Sequence, residues 1–144
     1  MTPDERYMRE ALAEARQALQ QGEVPIGAVV VADDRIIGLG HNLTETLRDA
    51  TAHAEMLAVT AAEQALDAKY LTGCTLYVTV EPCTMCAGAI GWVQISRLVY
   101  GAPDPKRGYR LYAPHALHPR CQAIGGVLQD ECAQLLKDFF KAKR

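Results

Sequence analysis

Apolar residues recur at helical spacing through TPDERYMREALAEARQALQQG, at Tyr7, Met8, Leu12, Ala15 and Leu19, so residues 2–21 predict an amphipathic helix. A polar cap and Pro3 open it, and Gly22 stops it. The period then shortens. VPIGAVVV from Val24 and RIIGLGHN from Arg35 are short runs rich in Val and Ile separated by ADD, as in the two strands of a hairpin. Beyond them the pattern predicts a helix from about His53 to Ala65, a strand at CTLYVTV from Cys74 and a helix from Pro82 to about Trp92. A strand at RLVYG from Arg97 and a final helix, DECAQLLKDFFKAKR, complete the elements, while residues 103–127 show no clear period. Helices alternating with strands in this way predict an α/β protein, a three-layer α/β/α sandwich in which parallel pairing dominates after the opening hairpin.

No repeat, low-complexity tract or linker divides the chain, and 144 residues at 49% hydrophobic are enough for one core, so 1–144 reads as a single domain. No run approaches the roughly eighteen apolar residues of a membrane span, and the polar start MTPDERYMREALAEARQ has no signal-type apolar run. The expected location is the cytoplasm, with no membrane partner. Five cysteines, an odd number, argue for reduced thiols available to metal rather than a disulfide framework. Cys74, Cys121 and Cys132 stand alone and read as small buried hydrophobes. The net charge of −2 is unevenly spread: twelve acids and six bases through Tyr70 are followed by five acids and nine bases from Leu71 onward. The later half could offer a basic face.

The stretch TVEPCTMCAG, from Thr79, changes the picture most. Pro82 suits a helix start, and Cys83 and Cys86, one turn apart, then share a face near a helix N-terminus that favours thiolate. Taken alone, the pair also fits a redox couple or two core residues. TAHAEM, from Thr51, adds His53 at the mouth of another predicted helix. Three ligands, His53, Cys83 and Cys86, suit one catalytic zinc per chain with a position left for water, because structural sites close with four. Cys74, Cys121 and His41 are nominees for a fourth ligand, without recognisable spacing. Glu55 cannot complete a capping box, because position 52 is Ala52 rather than Ser or Thr. If His53 stands at the helix entrance, Glu55 comes beside the metal and serves as general base and then acid.

HAE followed by PCxxC is a zinc-deaminase signature, and the chain resembles the tRNA-specific adenosine deaminases within the cytidine deaminase-like superfamily. The resemblance runs through EVPIGAVVV from Glu23, HN at His41 and Asn42, TAHAE from Thr51, LYVTVEPCTMCAGAI from Leu76, VYGAPDPK from Val99 and GVLQDECAQLLKDFFKAKR from Gly126. It implies a five-stranded mixed sheet between helices, zinc on His53, Cys83 and Cys86, proton transfer by Glu55 and a homodimer. The implied reaction converts adenosine to inosine at the wobble position of a tRNA anticodon stem-loop. Asn42 matches a base-contacting asparagine, Val24 and Pro25 match pocket residues, and Ala54 within HAE is counted with them. Asp104 matches an aspartate at a nucleotide sugar, where a carboxylate can accept from a 2′-hydroxyl.

Two departures stand out: RGYRLYAPHALHPR replaces a common Gly-Ala-Gly-Ser-like segment, and Ala50 replaces a frequent proline. Within the first, Lys106, Arg107, Arg110 and Arg120 interleave with Tyr109 and Tyr112, an arrangement that suits phosphate charge and base stacking. Phe139 and Phe140 near the basic end suit an RNA surface as well. The competing enzyme reading is a deaminase of guanine, cytosine or dCMP, since the same zinc geometry serves them. A structural zinc module that binds RNA without turnover is the other class, against which Glu55 argues.

Overall fold

The computed structural model describes residues 1–143. Helix α1 (Pro3–Gln20) opens with a capping box, in which Thr2 Oγ1 accepts from the Glu5 amide and Glu5 Oε1 from the Thr2 amide. Strands β1 (Gly27–Ala32) and β2 (Arg35–His41) form the expected hairpin. Its two loop residues, Asp33 and Asp34, both take positive φ, as two-residue hairpin loops that follow the sheet twist require. Next come α2 (Thr44–Leu47), α3 (Ala54–Leu66), β3 (Thr75–Val80), α4 (Thr84–Trp92) and β4 (Arg97–Ala102). The chain continues through α5 (Tyr109–Tyr112), β5 (Gln122–Ile124) and α6 (Gln129–Ala142). Short α2 is an addition to the predicted elements, and α5 and β5 occupy the stretch without a period. Arg144, at the end of the predicted last helix, lies outside the described residues.

The five-stranded sheet has the order β2-β1-β3-β4-β5, with β1 antiparallel to both neighbours and β3, β4 and β5 parallel. It is mixed, as the resemblance implies, and after the opening hairpin two of the three remaining pairs are parallel, with β1–β3 the antiparallel one. The crossover from β2 through α3 passes over β1 and places β3 on its far side. There β3 runs parallel to β2 and therefore antiparallel to β1.

Alternate residues along the strands feed two cores. Val29, Val31, Tyr77 and Val99 pack with Met8 and Leu12 of α1 and with Cys132 of α6. Ala28, Val30, Leu76, Val78 and Leu98 pack with α3 and α4 through Ala58, Ala62, Ala87 and Ile90. The α3–β2 approach depends on Gly40, since a Cβ there would stand 2.4 Å from the Ala54 carbonyl oxygen at the start of α3. The three layers thus bring the entrances of α3 and α4 to the same side of the sheet. Among the described residues, no helix is long and apolar enough to cross a membrane.

Helix α1 is fastened to the sheet by Asp4. Its carboxylate receives both Arg97 guanidinium nitrogens at 2.8 and 2.6 Å, and the Tyr77 hydroxyl at 2.7 Å. The Arg97 hydrogen bonds hold the Asp4 carboxyl below its usual range, against the opposing effect of burial. Its folded pKa is therefore below its unfolded one, and the stability it contributes is present above the unfolded pKa and is lost as pH falls. Asp4→Asn should cost about 1–2 kcal/mol at neutral pH, discounted for partial exposure. The melting-temperature gap to the parent should shrink below about pH 4; a gap constant down to pH 2 would contradict this assignment.

Candidate active site

The loop before α3 sets the position of His53. Asp49 Oδ1 accepts from the Thr51 amide and hydroxyl at 2.8 and 2.7 Å, and the Leu43 amide donates to the Ala52 carbonyl. His53 is the N-cap of α3 in extended conformation, so it stands at the helix entrance and Glu55 lies in the first turn. Cys83 is the N-cap of α4, with Cys86 inside the first turn. The helix entrances converge as the sequence predicts: His53 Nδ1 lies 3.6 Å from Cys83 Sγ and 3.5 Å from Cys86 Sγ, and the three ligand atoms are all within 4.8 Å of one another.

This donor set fits zinc. Tetrahedral zinc bonded at about 2.3 Å to sulfur and about 2.0–2.1 Å to nitrogen separates those two ligand atoms by roughly 3.6 Å, which the observed spacings match. The nominees for a fourth ligand are elsewhere. Cys74 is buried at the start of β3, Cys121 is half-buried beside the core rather than fully inside it, and the His41 ring bonds Glu14 and Gln21. Cys132 is buried, as expected of a small hydrophobe.

Electrostatics separates the roles of these groups. Cys83 is pushed down to about 3 by the hydrogen bond from Cys86, against burial and with help from His53. Cys86, the donor, is pushed upward by the same contact and by burial. His53 is raised, chiefly by its hydrogen bond with Cys83. Burial raises Glu55 to about 7, and it stands in the first turn of α3 without belonging to the ligand cluster. A carboxyl near neutrality beside a three-ligand metal site is suited to taking up and returning a proton.

Asn42 is buried at the end of β2. Its Oδ1 accepts from the Ala54 amide at 3.0 Å, satisfying one free N–H at the start of α3. That bond uses the acceptor expected for a purine edge and leaves the amide donor. Val24 and Pro25 precede β1 in a tight bend closed by the Ile26 amide on the Val24 carbonyl, and Ala54 is fully buried. Asp104 forms a turn: its Oδ1 accepts from the Lys106 and Arg107 amides, both at 3.0 Å. Lys106 and Arg107 are exposed and line, with Cys83, Met85 and Tyr112, a cavity of about 620 Å³.

The basic and aromatic patch is smaller than its sequence suggests. Tyr109 is buried and unavailable for stacking, because its ring packs in the α3–α4 core. Arg110 is bound to Glu81, and exposed Arg120 lines no part of that cavity. Tyr112 remains exposed. At the far end, Phe140 lines a groove of about 670 Å³ with Lys137 and Lys141, while Lys143 stacks its ammonium on Phe139.

Two buried carboxylates carry no role in the sequence reading. Glu23 accepts from the Glu45 amide and from the amide and hydroxyl of Thr46, fixing α2 against the loop that leads to Asn42 and His53. Burial alone would raise it, but these hydrogen bonds hold it below its usual range. Glu81, immediately before Pro82, is likewise held low against burial by Arg110 and two backbone amides. The available signal was an acid beside an apolar run, at EVPIGAVVV and LYVTVEPC.

The family model for the cytidine and deoxycytidylate deaminase zinc-binding region matches residues 1–102. A tRNA-specific adenosine deaminase of Bacillus subtilis is 46% identical over 100% of this chain and 92% of its own length. The chain belongs to the tRNA-specific adenosine deaminase family. Among solved structures, one from work on A-to-I editing by tRNA:A34 deaminases at the wobble position superposes with a TM-score of 0.85 at 44% identity, covering 91% of this chain and 99% of that one. A guanine deaminase from Nitrosomonas europaea superposes with a TM-score of 0.80 at 25% identity, over 94% and 83% respectively. The match to the A34 deaminase bears out the expected fold class, and the family region and ligand cluster agree on zinc.

Proposed function

We propose that residues 1–144 act as one deaminase domain that hydrolyses adenosine to inosine, releasing ammonia, at the wobble position of a tRNA anticodon loop. The observation that carries the chemistry is the buried Glu55 carboxyl beside the His53, Cys83 and Cys86 cluster. The similarity to tRNA-specific adenosine deaminases over nearly full lengths supports the substrate. His53, Cys83 and Cys86 would hold one zinc per chain, which when bound would supply the Lewis acidity that makes water a nucleophile at neutral pH.

Glu55 would take a proton from the water whose oxygen bonds to adenine C6 and deliver it to ring nitrogen N1, then carry the proton of the new C6 hydroxyl to the amino group, so that the C6–N6 bond breaks, the carbonyl forms and ammonia leaves. Asn42 presents its amide donor to the base while its oxygen holds the start of α3, and Val24, Pro25 and Ala54 shape the surrounding wall. Lys106 and Arg107 attract phosphate and Tyr112 offers a stacking face at the cavity beside Cys83. Asp104, with Oδ1 committed to its turn, has Oδ2 for a ribose hydroxyl.

The working form in this reading is a homodimer, supported by Trp92 and Leu111 standing exposed on α4 and α5; a solution mass of 15.7 kDa alone would contradict it. Five free cysteines support a cytoplasmic location.

The test is a side-by-side assay of ammonia release from an RNA anticodon stem-loop, its DNA counterpart, and free adenosine, guanine and cytosine. Turnover should be confined largely to the RNA and should weaken with salt. The likeness to guanine deaminase gives the second reading: rapid release from guanine with none from the stem-loop would establish it instead.

A further inference from the structure

We infer that Glu81 and Arg110 form a clamp that positions the Lys106–Arg107 loop at the mouth of the active site. Its predicted effect on RNA binding rests on the function proposed above, whereas its effect on loop order does not.

Glu81 follows β3 and directly precedes Pro82 and Cys83, so it is rigidly tied to the metal-binding helix entrance. Its side chain is 1% exposed. One oxygen accepts from the Asp104 amide at 3.0 Å and Arg110 Nη2 at 3.1 Å, and the other from the Arg110 amide at 3.2 Å and Nε at 3.1 Å. Both carboxylate oxygens are therefore committed, one end of the loop being held by backbone and the other by a two-pronged guanidinium contact. Between those ends, Asp104 Oδ1 holds the Lys106 and Arg107 amides, which extends the connection from Glu81 to the two exposed cations.

The backbone makes room for this arrangement. A Cβ at Gly108 would stand 2.3 Å from Glu81 Oε2, so only glycine lets the loop pass over the carboxylate. The Tyr109 amide donates to the Pro82 carbonyl at 2.9 Å, and Gly108 bridges to Cys83. Arg110 also lies over the Tyr100 ring at 5.5 Å. It belongs to the segment that departs from the common Gly-Ala-Gly-Ser-like pattern, and it neutralises a buried carboxylate. Arg110 is thus a positioning residue rather than one of the cations that meet phosphate.

The sign of one substitution separates these roles. Glu81→Gln removes a negative charge near a bound polyanion, so electrostatics alone would tighten RNA binding. An amide, however, supplies one acceptor oxygen and turns an NH2 toward donors, so the clamp loosens. KM for the stem-loop should rise on the order of tenfold in Glu81→Gln and in Arg110→Met, with kcat much less affected, and the double variant should be no worse than the weaker-binding single one. Limited trypsin digestion without RNA should cut faster after Lys106 and Arg107 in each variant, with zinc content retained. Arg110 is more than half exposed, so Arg110→Met supplies the digestion test even if Glu81→Gln fails to fold. Equal or tighter RNA binding by folded Glu81→Gln, losses that multiply in the double variant, or unchanged cleavage at Lys106 and Arg107 would overturn the clamp. If the parent chain leaves the stem-loop untouched, the RNA reading fails while the digestion result still decides the clamp.

Discussion

Glu55→Gln should retain zinc and fold while losing about 10²- to 10⁴-fold in turnover, the usual effect of deleting a general acid–base group. The substitution is nearly isosteric at a buried position, so it leaves packing in the first turn of α3 in place. What it removes is the ability to take a proton from water and return it. Glu55 lies outside the ligand cluster, and burial brings its pKa to about 7, so the carboxyl is poised to change charge rather than to remain a fixed anion. Metal content by atomic absorption, melting temperature and turnover should be measured on one preparation. Zinc loss with the activity would reassign Glu55 to metal binding, and near-parental turnover would give the proton transfer to another group.

The second large effect follows from Cys86→Ala. Cys86 is fully buried in the first turn of α4, and its removal leaves only His53 and Cys83 to hold a tetrahedral ion. Zinc should fall well below one per chain and activity should disappear with it. The melting temperature should also drop, because an ion bound to the folded state alone stabilises that state. Cys121→Ala is the control: its thiol lies outside the ligand cluster and donates to the neighbouring Gln122 carbonyl at 3.9 Å, so zinc and turnover should persist. Stoichiometric zinc in Cys86→Ala, or its loss in Cys121→Ala, would mean that the ligand set is different.

The parts of this arrangement that were legible in the sequence rest on local rules. Thr2 and Glu5 cap α1 from three residues apart, Asp33 and Asp34 turn the hairpin, and His53 with Cys83 and Cys86 carries the spacing of two helix entrances. The illegible parts depend on partners far along the chain. Glu23 reaches Thr46 and Glu81 reaches Arg110 across more than twenty residues, and a polar residue in a loop does not announce which distant amides it will satisfy. The alternation of Tyr109 and Tyr112 with basic residues looks like a stacking surface. The tether from the Tyr109 amide to the Pro82 carbonyl turns Tyr109 inward and leaves Tyr112 outside. Three-residue β5 is too short to show a period and is specified by its parallel pairing with β4.

The most direct measurement is to incubate the zinc-loaded protein with unmodified tRNA and sequence the product, reading inosine as guanosine. Adenosine at the first anticodon position should be converted, with no conversion by Glu55→Gln and less as salt rises. No conversion at that position, together with efficient ammonia release from free guanine or cytosine, would contradict it.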